Sequence, residues 1–376
     1  MRLGFFMMPV HPPARSFTET LAEDTEKSLL ADQLGFSELW LGEHFSATSE
    51  PIPSPMMFMA GLVPQTKNLQ FGTGVICLPN HDPVVVAAEV AQFDHMSRGR
   101  FMLGVGPGGL VSDFELFRHT DVTVRNRKVV ESVRIMQQIW SQDPPYDIDG
   151  EFWNVRLKDT VVPELGIGYM PKPYQQGGPP ISLSLASPHS SSARTAALND
   201  WGILSANIVP TYSVASHWAI YSKARAEAGK RVSGDQWRVA RNVMVAPTDA
   251  EAYDRVFGEH AANRYLFEYV RTVLERVGIL VIMKPRPEMS DEEATVEAII
   301  DGCTLYGSPK TMLDKLIAFR EEVGPFGTLL MTGVDWSGPN QAWERQSMQL
   351  LAGEVMPKFR QHCDVEDTKF SLKAAE

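Results

Sequence analysis

Two continuous apolar runs, separated by a helix-length segment, place the strongest constraint on how this chain folds. They cover residues 71–75 and 101–105, and neither alternates polar with apolar residues, which is typical of strands buried on both faces. The segment between them opens at Pro83, a residue favoured in a first helical turn, and ends near Ser97-Arg98-Gly99, a helix-stop signal. The pattern predicts a parallel strand–helix–strand unit, whose chemistry would lie in loops at the carboxyl ends of its strands.

The same alternation of strand and helix continues along the chain. Further strands are predicted at residues 3–8, 38–41, 181–186, 203–206 and 238–245, with a last one inside the unit at 309–331. Seven or eight β/α units of this kind predict an α/β fold, a (β/α)8 TIM barrel with insertions.

The domain organisation follows from where this alternation is interrupted. Residues 1–360 are expected to form a single barrel domain with insertions at about 141–180 and 250–302. The first insertion is rich in Pro, Gly, Asp and Tyr, and the second holds more helix than a connection needs. A closing helix is predicted at about 340–361, and residues 361–376 are expected to be a polar C-terminal tail.

Composition narrows the function classes. The net charge of −11 disfavours nucleic-acid binding, and no apolar run reaches membrane-spanning length. Cys77, Cys303 and Cys363 are far apart and form no CxxC pair, and the histidines have no metal-ligand spacing, so no metal site is expected. Free thiols suit a reducing compartment, and the apolar N-terminus is better interpreted as a first strand than as a secretory signal. We therefore expect a cytoplasmic protein.

An ordered set of motifs carries a resemblance to a known family. The motifs are GFSELWLGEHF at 35–45, GTGVICLPNHDP at 72–83, DHMSRGRFMLGVGPGG at 94–109, DGEFWNV at 149–155, PPISLSLASPHSSSARTAALNDWGI at 179–203, GSPKTMLDKL at 307–316 and LLAGEVMPKF at 350–359. Together they span nearly the whole chain. In this order they closely resemble the bacterial luciferase-like flavin-dependent monooxygenases, and within that family the limonene and diketocamphane monooxygenases most of all.

The resemblance implies a reaction and its partners. Reduced FMN, supplied by a separate flavin reductase, and O2 would oxygenate a small hydrophobic substrate, such as a terpene or cyclic ketone, through a C4a-peroxyflavin. No nicotinamide-binding domain is readable in the chain, which agrees with a separate reductase. A homodimer is also implied, and the apolar stretch at 84–88 supports it. Two alternatives remain open: an F420-dependent reductase or dehydrogenase on the same barrel, and a non-catalytic flavin-binding relative.

His44 is the candidate catalytic residue. It directly follows the second predicted strand, where a histidine is well placed to donate or accept a proton. The resembled family has a catalytic histidine in this block; the alternative is a hydrogen-bonded structural histidine. Its neighbour Glu43 could orient His44 or support the strand end.

Small residues after the third and fourth predicted strands are candidates for flavin contact. The resemblance implies a bulge at Gly74–Val75, often with a non-prolyl cis peptide, against one flavin face, and close backbone approach at Gly106. The alternative is tight packing at a barrel corner. The 104–109 loop also satisfies GxGxxG, but no helix opens from its last glycine and no acidic residue follows at the required spacing. Rossmann-type dinucleotide binding is therefore disfavoured.

The remaining candidates follow these loops. Asp113 matches an aspartate near the flavin pyrimidine edge in luciferases; the alternative is a turn-forming Asp. Ser190, Ser191 and Arg194 open a predicted helix and could hold the FMN phosphate, although the serines could simply be helix caps. The chain departs from the luciferase pattern at Pro107, where luciferases carry a phosphate-binding Arg. Arg194 or another basic residue would have to replace it.

Overall fold

The structure, a computed structural model, describes residues 1–8 and 10–373, with side chains as far as Val365. Its strands, in chain order, are β1 Arg2–Met7, β2 Glu38–Leu41, β3 Gln70–Thr73, β4 Ile76–Cys77, β5 Phe101–Gly106, β6 Tyr146–Asp149, β7 Asn154–Leu157, β8 Ile181–Leu185, β9 Gly202–Ser205, β10 Trp237–Val245, β11 Thr304–Gly307 and β12 Thr328–Thr332. Parallel pairing runs β10–β12–β1–β2–β3–β5–β8–β9, and β9 pairs back with β10. This ring of eight parallel strands is a closed barrel, so the predicted TIM-barrel fold is confirmed.

Helices connect the strands and cover the outside of the barrel. They are α1 Phe17–Gln33, α2 Pro55–Leu62, α3 Pro83–Ser97, α4 Val111–Leu116, α5 Val122–Ser141, α6 Ser191–Leu198, α7 Thr211–Glu227, α8 Asp249–Phe257, α9 Ala262–Arg276, α10 Val296–Cys303, α11 Pro309–Val323, α12 Asn340–Leu350 and α13 Met356–Lys373. Helix α3 starts as its sequence predicts: Asp82 caps it by accepting from Val84 N, and Pro83 fills its first turn. It ends at Arg98, which is in the left-handed conformation at φ 54°.

The third barrel strand differs from its predicted extent. Instead of one strand over 71–75, β3 ends at Thr73 and β4 begins at Ile76. Between them the Gly74–Val75 peptide bond is cis, as the family resemblance implies. Gly74 N still donates to Leu41 O at 2.6 Å, so the chain stays attached to β2 across the interruption.

The barrel interior is filled at its amino-terminal end and in its middle. A buried cluster of Phe6, Trp40, Met102, Leu204, Ala240 and Leu330 occupies the centre. Near it Arg238 Nε donates to Glu38 Oε2 at 2.7 Å, and both side chains are almost fully buried. Gly104 packs so closely that an added Cβ would lie 1.8 Å from Thr73 O. With the centre of the barrel filled in this way, chemistry has room only at the carboxyl ends of the strands.

Both predicted insertions contain regular structure. Strands β6 and β7 pair as an antiparallel hairpin outside the barrel sheet. Helices α8, α9 and α10 pack around their own buried hydrophobic cluster, which includes Phe267, Leu274 and Ile299. Strand β11 follows α10 and pairs with the second half of β10.

The closing helix runs further than its predicted end at 361. Helix α13 continues to Lys373, so residues 361–373 of the expected tail are helical, and 374–376 lie outside the described residues. The reason lies in Cys363, which is fully buried one turn after the equally buried Phe359 and extends the apolar face of the helix. Within the described part of the chain, no helix is long and apolar enough to cross a membrane.

Candidate active site

His44 lies at the carboxyl end of β2, between two carboxylates. Its Nδ1 lies 3.3 Å from Asp113 Oδ2, and its Nε2 lies 3.2 Å from Glu50 Oε2. All three side chains are buried. Burial lowers the pKa of His44, but Glu50 and Asp113 raise it by more, so its pKa lies above the ordinary value of 6.5. The imidazole therefore holds its second proton more tightly than a free histidine does.

Asp113 is fixed by the backbone of the loop that carries His44. It lies in the first turn of α4 and accepts hydrogen bonds from Ser46 N at 2.9 Å and from Phe45 N at 3.3 Å. The Ser46 hydroxyl donates to the same carboxylate. Burial raises the pKa of Asp113, but the bonds from His44 and Ser46 lower it by more, so it lies below its ordinary value. An ionised Asp113 makes Nδ1 the donor, which leaves Nε2 of His44 to exchange a proton.

Glu50 approaches His44 from the opposite side, on the loop between β2 and α2. Burial raises the pKa of Glu50 more than His44 and Tyr269 lower it, so its pKa lies above the ordinary value. Tyr269, on α9, faces this carboxyl group. On the adjacent residue, Ser49 Oγ lies 3.2 Å from the hydroxyl of Tyr265, which is also on α9. The loop that carries the histidine is therefore attached to the second insertion.

Glu43 does not orient His44; of its two predicted roles, the structure shows support of the strand end. Its Oε1 accepts from Cys77 N at 2.7 Å and lies 3.0 Å from His81 Nε2. Burial lowers the pKa of His81, but Glu43 raises it by more. Glu43 thus ties β2 to β4, just beyond the Gly74–Val75 bond.

The structure brings the predicted glycine positions together. A Cβ added to Gly106 would lie 2.9 Å from Val75 Cγ2 and 2.5 Å from Ser184 Oγ, so the ends of β3, β5 and β8 touch here. A Cβ at Gly74 would approach the Phe6 ring to 3.0 Å. Both observations fit the tight-packing alternative. The missing side chains also leave a flat surface at the strand ends, on which a planar ring could lie.

The residues predicted to bind the FMN phosphate are only partly brought together. Ser190 is the N-cap of α6 and accepts from Ser192 N, while Ser191 is the first residue of the helix. Arg194 is 53% exposed and donates to Glu227 at 2.7 Å. Its guanidinium is thus already engaged by a carboxylate of α7. The phosphate-binding roles of Ser190, Ser191 and Arg194 stay predictions.

Thr332 adds a polar atom at the barrel mouth. It lies on the same face of β12 as Leu330, whose side chain belongs to the interior cluster. Thr332 is 2% exposed, and its hydroxyl has no hydrogen-bond partner among the described residues. A buried hydroxyl of this kind is satisfied when a polar ligand occupies the mouth. His44, the Thr332 hydroxyl and the glycine positions at the strand ends therefore fit a flat group with polar edges, such as a flavin.

A second buried ionic network surrounds His11, which lies just after β1. Its Nδ1 lies 2.6 Å from Asp335 Oδ2 and its Nε2 lies 3.1 Å from Asp24 Oδ2. The same carboxylates also bind cations of the chain, because Lys27 Nζ donates to Asp24 at 3.2 Å and Arg15 donates to Asp335 at 2.7 Å. The network neutralises its own charges, so it explains the buried His11 as a structural residue.

Glu50 and Tyr269 are the residues that the sequence analysis missed. Glu50 stands in an irregular loop, SATSEPIPSP, where nothing in the pattern marks a buried carboxylate. Tyr269 lies in a helix of the second insertion, far from His44 in the sequence. The one signal in the sequence is the place of Glu50 on the same loop as the candidate histidine, after a barrel strand.

Comparisons with known proteins identify the family of this chain. The profile of the luciferase-like monooxygenase family matches residues 1–325. The chain is 29% identical over 361 residues to 4-hydroxyprotoasukamycin monooxygenase of Streptomyces nodosus subsp. asukaensis, covering 96% of this chain and 93% of that protein. It is 28% identical over 360 residues to limonene 1,2-monooxygenase of Rhodococcus erythropolis, covering 95% and 86%.

A solved structure is similar over almost the same length. It is the oxygenating constituent of 3,6-diketocamphane monooxygenase from the CAM plasmid of Pseudomonas putida, a type II Baeyer–Villiger monooxygenase in complex with FMN. The TM-score is 0.83 at 28% identity, covering 95% of this chain and 98% of that one. With the family profile and the full-length relatives, this match confirms the resemblance drawn from the motifs: the chain belongs to the luciferase-like monooxygenases, a family of enzymes.

Proposed function

We propose that this protein is an FMN-dependent monooxygenase that oxygenates a small hydrophobic substrate, such as a terpene or a cyclic ketone. Support comes from relatives named for limonene and for a diketocamphane, and from the FMN complex of the similar structure. The observation that carries the proposal is His44, held between Asp113 and Glu50 at the mouth of a barrel with glycine-surfaced strand ends. It combines a proton-exchanging group with a surface that suits a flavin.

Bound reduced FMN would supply two electrons and activate O2, through the chemistry at flavin C4a that the sequence resemblance implies. Gly74, Val75 and Gly106 would support the ring, and Ser190 and Ser191 would bind the phosphate at the N-terminus of α6. Asp113, ionised and fixed by the backbone of the loop, keeps the Nδ1 proton of His44 in place. His44 would then exchange the reacting proton at Nε2, and the filled barrel beneath would limit the entry of water.

A two-component, cytoplasmic homodimer completes the proposal. A separate flavin reductase would deliver the reduced FMN. Val85 on α3 is 54% exposed and Met96 is 45% exposed, which supports a partner on this side of the barrel. Cys77 and Cys303 are buried free thiols, as suits a reducing compartment. Sedimentation at micromolar concentration should give a dimer; a pure monomer would contradict this part of the proposal.

Residues 1–360 are further proposed to unfold as one domain. The second insertion supports this proposal, because Tyr265 and Tyr269 join it to the barrel loop that carries Ser49 and Glu50. Thermal unfolding should show one transition by both tryptophan fluorescence and far-UV circular dichroism. Separate transitions by the two probes would show that the insertion is an independent unit.

Oxygen uptake measured with chemically reduced FMN and with reduced F420 tests the central proposal. We expect uptake coupled to product only with FMN, in a panel of cyclic ketones and terpenes analysed by gas chromatography. Turnover with F420 alone would favour the deazaflavin reductase. Tight flavin binding with no product from any substrate would favour the non-catalytic alternative. Omission of the reductase should be harmless when reduced FMN is supplied directly, and a strict need for it would contradict transfer by diffusion.

A further inference from the structure

The Nε2 side of His44 faces Glu50, a second ionisable group that has no assigned part in catalysis. The two atoms lie 3.2 Å apart, and Glu50 is only 5% exposed. Its Oε2 has no well-aligned hydrogen-bond donor among the described residues, although it is completely shielded from water. A buried carboxylate oxygen without a donor is costly, and a proton on the facing Nε2 is the group placed to satisfy it.

The position of Glu50 depends on the second insertion. Helix α9 presents Tyr265 and Tyr269 to the loop: the Tyr265 hydroxyl lies 3.2 Å from Ser49 Oγ, and Tyr269 faces the Glu50 carboxyl group. The same helix buries Leu266 and Phe267 in the insertion's hydrophobic cluster, which fixes the direction in which the tyrosines point. The histidine loop is thus held by the barrel through Asp113 and by the insertion through these two phenols.

We propose that Glu50 is a positioning residue that shares the Nε2 proton of His44, and that Tyr269 holds Glu50 in place for this exchange. The proton moves from Nε2 to Oε2, leaving a neutral imidazole that still donates from Nδ1 to Asp113, and it returns by the reverse step. No other bond changes and no electrons are transferred. The inference deepens the proposed function, since it concerns the proton that His44 exchanges during turnover.

The charges around the pair determine the sign of the effect. His44 faces Glu50 from its own loop and Asp113 from α4, with Glu43 nearby on the loop that follows β2. Glu50 faces His44, Asp113 and Tyr269. Replacing Glu50 by Gln removes one negative charge beside the imidazole and leaves Asp113 in place. His44 should therefore lose its second proton at a lower pH than in the wild type.

The first test uses the flavin-free protein, so it does not depend on turnover. NMR of protein labelled with ¹³C-histidine follows the titration of His44, assigned by its disappearance in His44→Ala. Glu50→Gln should move the His44 midpoint to lower pH, Glu50→Asp should restore most of it, and Tyr269→Phe should give a shift in the same direction. The resonance of His81, which pairs with Glu43, should not move. An unchanged His44 midpoint in Glu50→Gln would overturn the inference.

The second test measures coupling of oxygen uptake to product against pH. Glu50→Gln should lower kcat about tenfold or more, which is part of the ~10²–10⁴-fold worth of a positioned acid–base group. It should also shift the pH profile in the direction seen by NMR and leave FMN affinity unchanged. Tyr253→Phe is the matched control for Tyr269→Phe, because Tyr253 is 57% exposed on α8. A shifted titration midpoint of His44 together with an unchanged pH profile of kcat would overturn the role of Glu50 in turnover. Absence of all product in the wild type would count against the proposed function but leave the NMR result standing. If Glu50→Gln fails to fold, Tyr269→Phe carries both tests.

Discussion

Replacing His44 by Ala separates a catalytic from a structural role for this histidine. The substitution removes two contacts, 3.3 Å to Asp113 and 3.2 Å to Glu50. Asp113 keeps the donors Ser46 N and Phe45 N, so its carboxylate remains bound. Glu50 keeps Tyr269, and its raised pKa lets it take up a proton when its cationic neighbour is gone. The fold should therefore survive at a cost of about 1–3 kcal/mol, the usual penalty for partners left unmatched in a buried site.

The effect on activity should be much larger than this loss of stability. Product formation should fall by about a hundredfold or more, the usual worth of a positioned acid–base group, while FMN affinity changes little. Oxygen would still be consumed and would leave as hydrogen peroxide, because activated oxygen is no longer directed to the substrate. Oxygen-electrode traces with and without catalase, beside product analysis, measure this uncoupling. A stable variant with unchanged coupling would remove His44 from the mechanism.

The dependence of stability on pH gives an independent measurement of the same residue. The pKa of His44 is raised in the folded state above its ordinary 6.5. Its contribution to stability is therefore fully present below 6.5 and is lost as pH rises through the raised pKa. The difference in unfolding free energy between wild type and His44→Ala should shrink over that interval in urea titrations. His81→Ala is the matched control: His81 also has a raised pKa, at the same end of the barrel, but its partner is Glu43. It should lose stability without uncoupling.

Three further predictions concern the packing of the barrel, its ion pairs and the predicted phosphate-binding residues. Gly104→Ala places a Cβ 1.8 Å from Thr73 O and should lower the unfolding free energy by about 3 kcal/mol or more. Gly61 on α2 has open space around it, so Gly61→Ala should leave the unfolding free energy unchanged or raise it by about 0.5–1 kcal/mol. Glu38→Gln leaves Arg238 buried without its charge partner and should cost about 3–5 kcal/mol in urea unfolding. Glu227→Gln breaks the exposed pair with Arg194 and should leave the unfolding free energy nearly unchanged. Equal losses within either pair of variants would contradict the packing described here. Ser191→Ala should weaken FMN by about 1 kcal/mol, or roughly fivefold, with the rate restored by excess flavin; fluorescence titration measures it, and unchanged affinity would exclude the serine from the phosphate site.

The barrel could be predicted from the sequence because each of its strands is locally marked. Apolar runs such as 101–105 have no solvent-facing residue, and helix signals such as Pro83 and Arg98-Gly99 separate them. The interruption of the third strand left no such mark, since Gly74 and Val75 continue the apolar run without a break. The extended closing helix was missed for a related reason: Cys363 is one buried residue within a polar stretch, too weak a signal for a periodic pattern.

The polar part of the site was predictable only where a short motif carried it. His44 follows a strand directly, so its place at the barrel mouth follows from the local pattern alone. Its two partners could not be predicted in this way. Asp113 is 69 residues away, and Glu50 stands in an irregular loop whose contact with the second insertion, Ser49 to Tyr265, spans 216 residues. The sequence places Asp113 at a flavin edge by resemblance, whereas the structure shows it bound to the histidine loop. No periodicity reports such pairings, because hydrogen bonds between loops leave no repeat in the chain.

This division between scaffold and insertion explains how one barrel can be adapted to different proton chemistry. The strand ends fix the positions of His44 and the glycine surface, and they belong to a core in which a single added methyl group would collide with the backbone, as at Gly104. Glu50, which lies beside Nε2 of His44 and is proposed to share its proton, stands on a loop that contacts Tyr265 of a separately packed group of helices through Ser49. A substitution in that insertion can change the charge beside Nε2 without disturbing the barrel. The pH dependence of the reaction should therefore be adjustable through α9, which lies outside the barrel.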